Sequence, residues 1–247
     1  NATSGKRVVS YGLYGKNKKY TNGAIRNAEM VGDVFPGWVA RFYCDATVPA
    51  AVRDRLAALG AEVIMIDDRA MVGKIAGMFW RFLVADDPEV DAWVVRDSDS
   101  RLNAREKAAV DEWLASGASI HVMRDHPNHK RPINAGMFGG RRGALRGKSM
   151  AGLVRAWRDK KAYGGDLRFL NRVVWPLVKR DQLGHDAYFC TEFLNSKSFP
   201  TKRPANFQHV GQVFDADDAP RMDDIDRFMR KRPAPRQCRR EASFKFG

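Results

Sequence analysis

Between Arg7 and Met123, five short apolar stretches alternate with segments of helical pattern, and no other feature of the chain limits its fold so tightly. Arg7 to Tyr11, Trp38 to Cys44, Glu62 to Ile66, Asp91 to Arg96 and Ser119 to Met123 read as strands. A helix after Thr21 carries Ile25, Ala28, Gly32 and Phe35 on one stripe and stops at Pro36-Gly37. A second runs from Pro49 to Leu59 and ends at Gly60, with proline at the start and glycine past the end. Gly73 to Ala85 is apolar on all sides and reads as a buried helix. Asn103 and Glu106 form a capping box for a helix closed by Gly117. Strands separated by helices of this size predict one α/β domain, with a mostly parallel sheet and helices on both faces. In such sheets ligands bind beyond the carboxyl ends of the strands, so chemistry is expected just after each strand.

The chain has 247 residues, a size that fits one such domain. Its 44% hydrophobic and 11% aromatic content excludes a mainly disordered, collagenous or disulfide-scaffold chain. The longest apolar run, Ile75 to Ala85, carries Arg81 and is too short for a membrane helix. Cys44, Cys190 and Cys238 form no CxxC pair, which argues against a zinc finger or thioredoxin-like site. Asn1-Ala2-Thr3 has the form of a glycosylation sequon.

The net charge of +14 is uneven. Asp215 to Asp226 holds six aspartates and one arginine, while Arg227 to Gly247 carries a net +7. Residues 1–215 are therefore read as the domain, and 216–247 as an acidic-then-basic tail or loosely docked arm. The basic end reads as solvated surface, with adhesion to an anionic membrane surface, nucleic acid or a partner as the sharper alternative. Because the chain begins at Asn1, something upstream is taken to be removed. A cytoplasmic or membrane-surface location is expected, or the secretory-pathway lumen if an anchor was lost.

The strongest chemical signal is Arg96-Asp97-Ser98-Asp99-Ser100-Arg101. Two carboxylates one residue apart, directly after an apolar strand, are costly to desolvate together unless a cation lies between them. Oxygen ligands of this kind suit Mg2+ or Mn2+ held by one or two carboxylates plus substrate phosphates. A solvated turn that caps the next helix is the plainer reading. Asn134 to Gly140 is a run of small residues that reads as a glycine-rich turn or a close backbone approach to a ligand. Asp166 precedes the apolar helix Phe169 to Val178, as an N-cap or as a catalytic acid. Asp125, His126 and His129 follow the fifth strand and serve either a site or their own turn. Lys16, Lys18, Lys19, Arg141, Arg142 and Arg146 read as contacts to an anion or as solvated charge.

The order of these elements resembles the GT-A class of nucleotide-sugar-dependent glycosyltransferases, in its glycogenin-like and lipopolysaccharide galactosyltransferase-like members. Phe79-Trp80-Arg81-Phe82-Leu83 is similar to the helical element before the D-x-D strand, and Val94 to Asp99 to that strand and motif. Ile133 to Phe138 is similar to the N-x-G element, and Tyr163 to Asn171 to the later acidic turn and helix. The match spans Arg7 to Asp215 as ordered motifs and departs at Leu167, where that class favours Gln. The resemblance implies a GT-A-like Rossmann-type fold and sugar transfer from a nucleotide-diphosphate sugar to a hydroxyl of a glycan, lipid or protein, with Mn2+ or Mg2+. It implies that Asp97 meets the ribose or metal, that Asp99 binds the metal, and that His209 completes the metal site. It places Tyr11, Gly12 and Leu13 on the nucleotide, Arg81 on the donor, Asn134 and Gly136 at the sugar pocket, and Asp166 against the transferred or accepting sugar. In an inverting reaction, Asp166 or Asp125 would take the acceptor proton. Two rival classes remain: a metal-dependent phosphohydrolase or nuclease using Asp97, Asp99, His126 and His129, and a basic nucleic-acid-binding protein. The second lacks any helix-turn-helix, RNP or finger motif.

Overall fold

The computed structural model describes residues 5–68, 76–160 and 163–239. The sequon, the first residues of the expected Gly73–Ala85 helix and the last eight residues of the basic end lie outside these. One eight-stranded mixed sheet organises the chain, in the order β3-β2-β1-β4-β6-β5-β7-β8. The strands are β1 (Lys6–Leu13), β2 (Val39–Cys44), β3 (Glu62–Met65), β4 (Val90–Val95), β5 (Ile120–Arg124), β6 (Phe138–Arg141), β7 (Gln182–Asp186) and β8 (Ser196–Lys197). β6 alone runs antiparallel to its neighbours, pairing Val94 with Gly139 on one side and Val122 with Phe138 on the other. The expected α/β class, with a mostly parallel sheet, is what the chain forms.

Alternation along the central strands feeds two cores. On one face Val9, Tyr11, Phe42 and Val94 pack under α1 (Lys18–Val34), α2 (Ala50–Ala58) and α4 (Ala104–Ser116). On the other, Val8, Val95 and Phe138 meet Phe79, Phe82, Met150, Val154, Phe169 and Val174 from α3 (Gly77–Trp80), α5 (Met150–Ala156), α6 (Gly165–Phe169) and the turns after α3 and α6. Both sheet faces are thus covered, as a parallel sheet requires. Among the described residues no helix is long and apolar enough to cross a membrane.

The structure differs from the sequence reading in three places. The expected Gly73–Ala85 helix is, in its described part, one α turn followed by a 3-10 turn over Arg81–Asp86. Phe79, Trp80, Arg81 and Phe82 are all buried, so the segment is enclosed rather than laid down on one face. The second half of Asn134–Gly140 is part of a strand rather than a turn. The segment expected as a tail or loosely docked arm over 216–247 is described as far as 239, and with Val213 before it carries specific contacts to the body. Val213 bridges Ser100, Asp218 pairs with Arg101 at 2.6 Å, and Ile225 and Met229 are buried. Cys190 and Cys238 form a disulfide across 48 residues. Arg227 and Arg230 pair with Asp223 and Asp226 at 3.2 and 3.0 Å, so the basic and acidic runs neutralise one another in part.

The sheet turns about β1. The chain runs outward through β2 and β3, then returns to lay β4 on the opposite side of β1. That reversal opens a crevice at the carboxyl ends of β1 and β4. Helix α1 is fitted against the loop leaving β4. A Cβ at Gly23 would overlap the Ser98 carbonyl oxygen, so only glycine lets the helix approach so closely. One turn on, buried Asn27 turns its amide nitrogen to the Ser98 and Ser100 carbonyls at 3.3 and 2.8 Å and accepts from the Leu102 amide at 3.3 Å. Asn27→Ala leaves these buried groups unpaired, at about 1–3 kcal/mol each. Urea unfolding of the variant is expected to show a clearly lowered midpoint with an unchanged slope.

Candidate functional site

A pocket of about 510 Å3 occupies the crevice. Its floor comes from Gly12 and Leu13 at the end of β1, and one wall from Asp97, Ser98 and Asp99 after β4. Arg81 and Asp166 face this wall, and Asn134 and Gly136 close the side toward β6. Nine of the residues singled out in the sequence therefore converge on one cavity: Gly12, Leu13, Arg81, Asp97, Asp99, His129, Asn134, Gly136 and Asp166.

Arg81 is the hub of this arrangement. Its guanidinium is buried, with Nη1 on Asp97 Oδ1 and Nη2 on Asp166 Oδ2 at 3.0 Å. Burial alone would lower its pKa, but Asp97 and Asp166 outweigh that and hold it firmly charged. The Ser10 hydroxyl donates to the Arg81 carbonyl at 2.7 Å and fixes the backbone to β1. Asp97 keeps a side chain 41% exposed, so it can turn to a ligand. Asp99 is more enclosed and pairs with Lys19 Nζ at 2.7 Å. Burial and then the neighbouring Asp97 charge raise its carboxyl above the ordinary value, Lys19 notwithstanding. A Cβ at Gly136 would overlap Asp97 Oδ2, so glycine is what leaves that carboxylate its place. Asn134 spends its amide on the Met123 and His129 carbonyls, at 3.4 and 3.1 Å, and shapes the turn. Asp166 stands in the first turn of α6, with Gly164 as the N-cap and Leu167 N donating to Oδ1 at 2.9 Å.

The donor set suits a hard dication. Two like charges on one loop, one with a raised pKa, are a pair that a cation relieves, and Lys19 and Arg81 do so here. Among the described residues no group of three or more His, Cys, Asp or Glu is gathered to hold a metal. The protein thus offers Asp97 and Asp99, and phosphate oxygens with water would fill the remaining positions, the usual arrangement for Mg2+.

Three expectations are corrected. Tyr11 does not line the pocket: strand alternation turns it onto the opposite face, where it is buried and stacks on Phe42 with ring centres 4.7 Å apart. Asp125 is fully buried and absent from the pocket. It pairs with Arg105 at 2.9 Å and Arg203 at 2.5 Å and accepts from Val210 N at 3.0 Å. Burial raises its pKa, but the two guanidiniums and these hydrogen bonds prevail and hold it well below the usual carboxylate range, which suits an anchor and not a proton acceptor. His209 does not join Asp97 and Asp99 in the lining either. It packs with His126 and His129, ring centres 4.9 and 6.2 Å away.

Other residues enter the pocket that the motifs did not single out. Tyr14, Tyr20, Arg131 and Val213 line it, and Tyr163, the first residue of the later acidic motif, is 92% exposed at its edge. Lys19 was one of several lysines in a polar loop, and only the Asn17 cap that starts α1, accepting from Lys19 N at 3.0 Å, aims it at Asp99. Val213 belongs to a segment whose backbone meets the acidic loop, Phe214 N donating to Asp99 O at 2.8 Å.

Two solved structures align with parts of this chain. One, a glycosyltransferase involved in the glycosylation of the major capsid of PBCV-1, aligns at TM-score 0.47 and 14% identity over 74% of this chain and 82% of that one. The other, glucosyl-3-phosphoglycerate synthase from Mycobacterium tuberculosis in complex with Mn2+, uridine-diphosphate-glucose and phosphoglyceric acid, aligns at 0.44 and 16% over 73% and 69%. No protein-family model and no curated protein matches the chain.

Removing the Asp125 charge leaves the buried Arg105 and the half-buried Arg203 without their shared carboxylate. Asp125→Asn is expected to cost about 3–5 kcal/mol in chemical unfolding, the penalty for breaking a buried ion pair. The histidine cluster gives a pH dependence. Burial, the largest cause, pushes His129 well down and brings His209 from 6.5 to about 4. A histidine with a depressed folded-state pKa contributes stability above the unfolded value and loses it as pH falls. Stability is therefore expected to drop between pH 6.5 and 4, by about 3 kcal/mol for His209 alone. Unfolding free energies measured across that range should fall less steeply in His209→Gln.

Proposed function

We propose that this chain is a metal-dependent glycosyltransferase of GT-A type, transferring a sugar from a nucleoside-diphosphate sugar to a hydroxyl acceptor. The observation that carries the reading is the placement of Asp97 and Asp99 at the carboxyl end of β4, beside β1, where the sheet order reverses. An acidic pair at that crevice, flanked by Lys19 and Arg81, matches a ligand that brings its own negative charge together with a cation.

Transfer breaks the bond between the anomeric carbon and the diphosphate oxygen, and the electron pair leaves with the diphosphate. The acceptor hydroxyl oxygen forms the new bond and gives up its proton. Asp97 and Asp99 would hold Mn2+ or Mg2+, which when bound supplies Lewis-acid stabilisation of the diphosphate charge. Gly12 and Leu13, at the end of β1, lie where the nucleoside would rest. Arg81 keeps Asp97 and Asp166 in fixed relation, so the donor face and the opposite wall move as one. Asp166 is the carboxylate of that wall, and it would touch the sugar and take the acceptor proton. Tyr20 and Tyr163 stand exposed at the rim and offer ring faces to the apolar side of a pyranose, which favours a glycan acceptor.

The test is a thermal-shift screen of nucleoside diphosphates and their sugars, with and without Mn2+. Ligand at about a hundredfold its Kd adds roughly 2.7 kcal/mol of stability. One diphosphate series is expected to raise Tm by several degrees only with metal present. Asp99→Ala should abolish that shift and all sugar transfer. An acid whose folded-state pKa is raised disfavours the fold once ionised, so the unliganded variant should be no less stable than the parent at pH 7.5. Transfer that persists in Asp99→Ala with chelator present would overturn the metal reading. Release of phosphate or cleaved nucleic acid without a sugar acceptor would favour the hydrolase alternative.

A further inference from the structure

A second cavity, of about 620 Å3, shares no lining residue with the carboxylate pocket. Tyr188, Phe199, Phe207, Met229 and Pro233 give it apolar walls, with Phe199 and Met229 almost wholly buried. Pro233, Ala234, Cys238 and Arg239 form part of its wall, and the Cys190–Cys238 disulfide ties that stretch to the body.

Four cations line this cavity, and none of its described lining residues is acidic. Arg105 and Arg203 share a single carboxylate beneath them, Asp125, at 2.9 and 2.5 Å. Both also lie against the aromatic walls, Arg105 at 4.1 Å from the Phe199 ring centre and Arg203 at 5.9 Å from Tyr188. Lys202 and Arg239 have no acidic partner among the described residues. Among the described residues one negative charge is thus set against four positive ones around an apolar space of ordinary ligand size.

That combination selects its occupant. A free inorganic anion would neutralise the cations but leave the aromatic and Met walls wet. A neutral apolar molecule would cover the walls but bury the approaches to Lys202 and Arg239 uncompensated. We propose that this cavity binds a single-chain anionic amphiphile, with its hydrocarbon among Phe199, Phe207 and Met229 and its head group at Lys202 and Arg239. The site is independent of the sugar-transfer reading.

The experiment titrates the full chain with dodecyl phosphate, below its micelle concentration, by calorimetry. Dodecanol and inorganic phosphate serve as the two half-ligands. Saturable one-to-one binding of dodecyl phosphate is expected, about tenfold or more tighter than dodecanol, with none for inorganic phosphate. Lys202→Glu/Arg239→Glu changes only exposed side chains and should weaken binding by about tenfold or more at unchanged unliganded Tm. Ala234→Trp, which fills the cavity from its wall, should abolish binding. Absence of saturable binding in the parent chain, equal affinity for dodecanol, or unaltered affinity in the charge-reversed variant overturns the proposal. The charge-reversed variant decides alone if Ala234→Trp does not fold.

Discussion

One buried guanidinium holds the candidate site together. Arg81 joins a carboxylate from the end of β4 to a carboxylate at the start of α6, segments 69 residues apart in the chain. A buried arginine needs compensating charge on more than one side, and Asp97 and Asp166 meet that need while facing the cavity. The same contacts that make Arg81 tolerable in the interior also set the distance between the two walls. Its backbone is tied through Ser10 to β1, an interior strand about which the sheet order reverses.

Around that bridge, small and polar residues do the aligning. Gly23 and Asn27 bring α1 down onto the acidic loop, and α1 in turn carries Lys19 to Asp99. The segment at 213–218 backs the loop from outside, through Phe214 N on the Asp99 carbonyl and Asp218 on Arg101. The acidic pair therefore rests on hydrogen-bonded backbone on both flanks, while its carboxylates face the cavity paired with Arg81 and Lys19. A charge pair that is costly on its own is offset by those two cations and held in place by the backbone around it.

The strands β1 to β5 and the capped helix α4 were legible because period-two apolar runs and an Asn-x-x-Glu cap follow from local chemistry. The acidic pair was legible for a similar reason, two carboxylates being out of place after a buried strand. β6 was not, because Gly139 and Gly140 have no strand propensity of their own and are strand only by pairing with β4 and β5. Tyr11 was misplaced because nearness in sequence to Gly12 says nothing of the face its ring takes. Asp125 looked like a site residue because it follows a strand, but Arg105 and Arg203 come from distant segments and claim it. His209 matched a motif by order alone, and the fold placed it with His126 and His129. Nothing in the acidic composition of 215–226 told that its neighbours buttress the acidic loop.

The Cys190–Cys238 link gives this architecture an order in time. It closes a long loop that includes Val213, Phe214 and Asp218, the residues that brace Asp99 and Arg101 from outside. During synthesis the sheet, α1 and the carboxylates all emerge well before Cys238. Clasping the brace must wait for the second thiol to arrive and for an oxidant to join the two. A nascent chain would thus possess every site side chain while its acidic loop still lacked that clasp, and completion would be gated by thiol chemistry remote from the crevice.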